Sequence, residues 1–118
     1  MPDKEYDYCK IYVDGISLED LQSFMADMFG GRFEVRTMYL DGYSIDVRNN
    51  PSVVGEGDGG FVEWPLLVEF DADGGVSDEA AVRTVARILN GLWENGLQAV
   101  ASCDFEDELP WSGGIARL

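Results

Sequence analysis

The 118 residues carry 23 Asp and Glu against 8 Lys and Arg, with no His, for a formal charge of -15. That balance opposes contact with nucleic acid or anionic lipid, and the missing His removes the usual general base and commonest metal ligand. A hydrophobic content of 46%, with 12% aromatic residues, excludes an acidic disordered segment and suits a single domain over residues 1–118.

Taken in chain order, the first patterned run is a strand. Cys9, Ile11 and Val13 alternate with Tyr8, Lys10 and Tyr12, which sends the two sets to opposite faces of a sheet. Ser17 reads as a helix N-cap, followed by Glu19 and Asp20 where the helix dipole favours acids. Leu18, Leu21, Phe24, Met25, Met28 and Phe29 form one apolar stripe, and Gly30-Gly31 stops the helix. Residues 33–40 and 43–48 are predicted strands joined through Asp41-Gly42, a two-residue hairpin signal. The Gly- and acid-rich stretch 49–60 reads as a mobile loop. Residues 61–70 read as a longer strand, whose Pro65 implies an edge position or a bulge. Ser77-Asp78-Glu79 opens a second helix, with Val82, Val85, Ala86, Leu89, Leu92 and Trp93 at three- and four-residue spacing until Asn95-Gly96. Residues 97–103 form the last predicted strand.

This β-α-β-β-β-α-β order is an α+β pattern: a ferredoxin-like split βαβ with one added hairpin strand, two helices packing on one face of a mainly antiparallel sheet. It makes the first and last strands antiparallel neighbours, so Cys9 is expected near Cys103. Two cysteines are too few for a disulfide framework or a structural zinc site, and a reducing cytoplasm would keep them as thiols. The uncovered sheet face would carry Tyr8, Tyr12 and Met38, which makes a homodimer contact one expectation. No apolar run approaches the roughly 20 residues of a membrane span. Met1-Pro2-Asp3-Lys4-Glu5 lacks the basic and apolar regions of a signal peptide, so the expected location is cytoplasmic.

Several motifs tempt and fail on context. Gly55-Glu56-Gly57-Asp58-Gly59-Gly60 fits G-x-G-x-x-G, but a strand rather than a helix is expected after it, and its acids repel phosphate. Asp71-Ala72-Asp73-Gly74-Gly75 resembles the start of a calcium loop, yet Val76 and Val82 stand where Gly and Glu are required. Residues 11–16 and 60–64 resemble the sheet motifs of RNA-recognition domains, but the basic residue is absent and the net charge repels RNA. Ser112 has no His to activate it, and Lys4 and Lys10 are the only lysines. No cofactor, metal or catalytic residue is therefore expected, and the chain reads as non-enzymatic.

The remaining signal is Asp104-Phe105-Glu106-Asp107-Glu108-Leu109-Pro110-Trp111, which leaves the last strand and begins a C-terminal extension over 104–118. Four carboxylates beside a Trp suit a basic protein partner, with charge speeding encounter and the aromatic anchoring it. The candidate partner-binding residues are Asp104, Glu106, Asp107, Glu108 and Trp111, with Glu56 and Asp58 extending the surface. The plainer alternative is a solvated extension whose Trp111 folds back over the sheet edge.

The stretch from Ile88 to Pro110, through Asn95-Gly96-Leu97 and Cys103-Asp104-Phe105-Glu106-Asp107-Glu108, resembles the end of small acidic bacterial α+β proteins, the immunity proteins of polymorphic toxin systems. That resemblance implies a stoichiometric inhibitor that neutralises a cationic toxin, often a nuclease, by offering carboxylates in place of phosphates. A carboxylate-based enzyme, a divalent-metal binder and a homodimeric scaffold are the competing expectations.

Overall fold

The alternating residues of Tyr8–Asp14 form strand β1, and the computed structural model describes the chain over residues 4–51 and 60–118. Helix α1 (Leu18–Phe29) follows, then β2 (Thr37–Leu40), β3 (Tyr43–Asn49), β4 (Leu66–Ala72), α2 (Asp78–Glu94) and β5 (Gln98–Ser102). The five strands make one open sheet in the order β2-β3-β4-β1-β5, and every neighbouring pair is antiparallel. The fold is α+β. No helix among the described residues is long and apolar enough to cross a membrane.

Both helices begin where side-chain chemistry starts them. The Ser17 hydroxyl accepts from Asp20 N–H at 3.1 Å, and the Ser77 hydroxyl accepts from Ala80 N–H at 3.1 Å, each satisfying one of the unpaired donors of a first turn. Gly30 closes α1 in the left-handed conformation. Leu21 and Met25 of α1, with Ala81, Val85, Ile88, Leu89 and Leu92 of α2, are buried against one sheet face. That face is built from Cys9, Ile11, Val13, Met38, Ile45, Val47, Leu66, Val68, Phe70, Ala99 and Ala101.

Three expectations need correction. Met38 belongs to this core, because its β-sheet partner is Ile45, so it does not sit with Tyr8 and Tyr12 on the opposite face. The expected strand over 33–40 is shortened: Glu34 and Thr37 exchange backbone hydrogen bonds of 2.8 and 3.1 Å, closing a tight turn over Val35 and Arg36. The expected strand over 61–70 also splits. Gly60–Glu63 forms a short 3-10 turn, Pro65 precedes the ladder, and β4 begins at Leu66. Since β4 is a central strand, Pro65 has to lie outside it, lacking the N–H such a ladder needs.

The 3-10 turn covers part of the second sheet face. Phe61 meets Tyr12 edge-on at 5.5 Å, Trp64 meets Phe61 at 6.2 Å, and Leu67 and Val100 on this face are buried. Asn50, buried, holds the turn down: its side-chain amide donates to the carbonyls of Val62 at 2.9 Å and Trp64 at 2.8 Å. Asn50→Ala leaves two carbonyls without these donors and should cost about 2 kcal/mol in urea unfolding. A loss under about 0.5 kcal/mol would show that water replaces the amide freely.

Candidate functional site

The acidic run lies just past β5. Two apolar side chains pin it: Phe105, fully buried and stacked on Tyr6 at 5.2 Å, and Leu109, also buried. Between them Glu106–Glu108 make a 3-10 turn. Spacing the anchors four residues apart turns the intervening carboxylates away from the core, where burying them unpaired would be costly. Asp104, Asp107 and Glu108 are exposed and Glu106 is half-buried.

The chain's own N-terminal segment straps this run. Because β1 and β5 are antiparallel neighbours, the residues leading into β1 run alongside those leaving β5. Lys4 Nζ donates to both Asp107 oxygens at 2.8 and 2.9 Å and to Glu108 Oε2 at 3.1 Å. Glu5 N–H donates to Asp104 Oδ2 at 3.1 Å, and the Tyr6 hydroxyl donates to Glu108 Oε2 at 2.5 Å. The Asp107 carboxyl is held below its ordinary range by the Lys4 hydrogen bond, and Glu108 is held low by Tyr6 first and Lys4 second. The same contacts raise Lys4 above its usual value. A carboxyl with a depressed folded-state pKa stabilises above its unfolded value, so the strap weakens as pH falls through the acid range. These pairs are solvent-exposed and worth little individually. Glu106 makes no side-chain hydrogen bond or ion pair among the described residues.

Beyond the run the backbone turns left-handed for four residues. Trp111 (φ 56°), Ser112 (φ 52°), Gly113 (φ 80°) and Gly114 (φ 105°) follow one another, and the two non-glycine members cost roughly 1–2 kcal/mol each. The turn brings Gly113 and Gly114 against the outer edge of β5, where both are buried. Trp93 completes that cover, its indole N–H donating to the Ala99 carbonyl at 3.0 Å. An otherwise open strand edge is thus blunted. Trp111 does not fold back over the sheet; it remains 57% exposed. The Arg117 guanidinium lies 4.6 Å from the Trp93 ring and 5.8 Å from the Trp111 ring, close enough for cation–π attraction.

The structure therefore gathers Asp104, Asp107 and Glu108 under one strap, sets Glu106 beside Gly113, and leaves Trp111 projecting from the following turn. Glu56 and Asp58 lie outside the described residues. Sequence reasoning missed Lys4, Glu5 and Tyr6 as neighbours of the run, although pairing the first strand with the last already implied them. It also missed a polar cluster on the second sheet face, where Glu69 accepts from Arg48 Nε at 2.7 Å and from the Tyr8 hydroxyl at 2.5 Å. Burial opposes ionisation of Glu69, but Arg48 and Tyr8 together outweigh it and hold the carboxyl below its ordinary value. A carboxylate so stabilised is a poor proton acceptor at neutral pH. The signal was the alternation itself, which gave Tyr8, Arg48 and Glu69 to one face.

Among the described residues no group of three or more His, Cys, Asp or Glu is placed to hold a metal ion. Comparison with protein-family models, with curated proteins and with solved structures found no match.

Proposed function

We propose that the chain is a non-catalytic acidic binding protein of the immunity type, which captures and neutralises a basic protein such as a toxin. The observation that carries this reading is the pinned acidic run: Asp104 just before the buried Phe105, and Glu106, Asp107 and Glu108 between Phe105 and the buried Leu109, with an exposed Trp111 close behind. A rigidly held run loses little freedom on binding, and exposed carboxylates accelerate the approach of a cationic surface. Trp111 is the residue type that dominates interface energetics. Asp104, Glu106, Asp107 and Glu108 would supply steering and ion pairs, and Lys4 would be displaced by a partner's lysine or arginine.

The scaffold in this reading is ferredoxin-like. Strands β3-β4-β1-β5 with the two helices support it: α2 links β4 to β5 across β1, and α1 followed by the added edge strand β2 links β1 to β3 across β4.

The test is growth rescue. Expressing the product of the reading frame beside this gene should be toxic, and co-expressing this chain should restore growth. Changing Asp104 and Asp107 to Asn and Glu106 and Glu108 to Gln together should slow capture of that product at least tenfold at low salt and flatten its salt dependence. Unchanged rescue and unchanged capture by the fourfold variant would remove the acidic run from the function.

A further inference from the structure

The β1–β5 register runs from Asp14 opposite Gln98 to Lys10 opposite Ser102, and one further step sets Cys9 opposite Cys103. Both side chains fall on the helix side of the sheet, Cys9 fully buried and Cys103 partly exposed against the core. The Ala99 carbonyl accepts from Trp93, the Ala101 carbonyl faces Gly113, and the Cys103 carbonyl accepts from Glu106 N–H. Residues 99, 101 and 103 thus turn their backbone polar groups away from β1, which makes Cys9 and Cys103 a non-hydrogen-bonded cross-strand pair. In such pairs the Cα atoms lie about 4.5 Å apart and the side chains approach most closely. That separation falls within the roughly 4.4–6.8 Å that a disulfide bridges.

We propose that Cys103 is a modification site for small disulfides, and that Cys9 converts the adduct into an intramolecular Cys9–Cys103 disulfide. This goes beyond the binding reading and does not depend on it. Cys103 is the entry point because it is the exposed member of the pair. The Cys9 thiol beside it holds Cys103 below its usual range despite burial, with the Phe105 N–H adding to the effect. The same contact, together with burial, pushes Cys9 up. In the first step Cys103 gives its proton to solvent and its sulfur attacks one sulfur of the small disulfide. The S–S bond breaks, and one small thiol leaves as a thiolate that takes up a proton. In the second step Cys9 gives up its proton and attacks the Cys103 sulfur of the mixed disulfide, expelling the second small thiol. Two protein thiols are oxidised to one disulfide, and one small disulfide is reduced to two thiols.

The neighbouring Asp104 and Glu106 select the reagent by charge. Both acids oppose ionisation of the Cys103 sulfur, though the lowering contacts outweigh them, and their charge attracts a cationic disulfide and repels an anionic one. Folded protein is treated with cystamine or with glutathione disulfide at low salt, quenched with acid and weighed by mass spectrometry. With cystamine the wild-type chain should lose two hydrogens and retain no adduct. Cys9→Ala should stop at the mixed disulfide, and Cys103→Ala should stay unmodified while folded. Cystamine should react about tenfold faster or more than glutathione disulfide, the difference shrinking in salt. A stable adduct on the wild-type chain, or reaction only at the rate of global unfolding, would overturn the proposal without use of either variant. Equal rates with the two reagents would overturn the charge selection.

Discussion

Phe105→Ala is expected to lower the unfolding free energy by about 3–5 kcal/mol, the usual loss for a large buried ring. Phe105 is fully buried, stacks on Tyr6 at 5.2 Å, and is the first anchor of the acidic run. Its removal opens a cavity where the strap and the run meet, so the order of residues 104–108 should go with it. Urea denaturation gives the stability. Amide exchange at Glu106 and Glu108, whose N–H groups donate to Cys103 and Phe105 carbonyls, gives the local effect. Tyr6→Phe is the control: it keeps the stack and loses one exposed hydroxyl contact, worth under about 1 kcal/mol. A loss below about 1 kcal/mol for Phe105→Ala would mean that Leu109 alone pins the segment.

Gly114→Ala should be nearly as damaging for a different reason. At φ 105° a side chain is strained, and a Cβ there would stand 2.5 Å from the Ala99 carbonyl oxygen and 2.9 Å from the Trp93 ring. Neither neighbour is free to yield. Ala99 is fixed in β5, and Trp93 donates its indole N–H to that same oxygen. Strain and overpacking together should cost about 3 kcal/mol or more, lifting the C-terminal turn off the edge. Thermal denaturation reads the loss, and faster exchange of the Ala99 and Ala101 amides would show that the edge has opened. Gly96→Ala is the comparison, since that glycine also has a positive φ but meets nothing within 4 Å. Equal effects at the two positions would assign the damage to backbone strain rather than to the contact with β5.

What could be read from the sequence was whatever short-range chemistry decides. Ser17 and Ser77 cap their helices as their hydroxyls and the following acids imply. Asp41-Gly42 turns the hairpin, with Gly42 at φ 86°. Pairing the first and last strands followed from the element order, and it brought Cys9 to Cys103. Distant partners decided the rest. Phe61 has strong strand character, yet Tyr12 and Asn50 hold its segment in a 3-10 turn. Met38 alternates as a strand residue should, but its face is fixed by register with Ile45. The acidic run showed as composition, whereas the Lys4 strap joins residues about a hundred positions apart. Nothing local at Trp111 and Ser112 announces a left-handed backbone; Gly113 and Gly114 pressed onto β5 impose it.

The position of β1 has a consequence for how the chain folds. It lies between β4 and β5, so its partners are residues 66–71 and 98–102. An emerging chain makes this strand early and must hold it unpaired until those partners exist. Loops of this length close at only a modest extra entropic cost, but non-local pairing slows the search for the native sheet. During that wait Cys9, Ile11 and Val13 are an exposed apolar strand, the kind of segment from which aggregation begins. The acids crowded along the rest of the chain keep such intermediates apart by mutual repulsion, giving the charge a role in folding as well as in the finished surface.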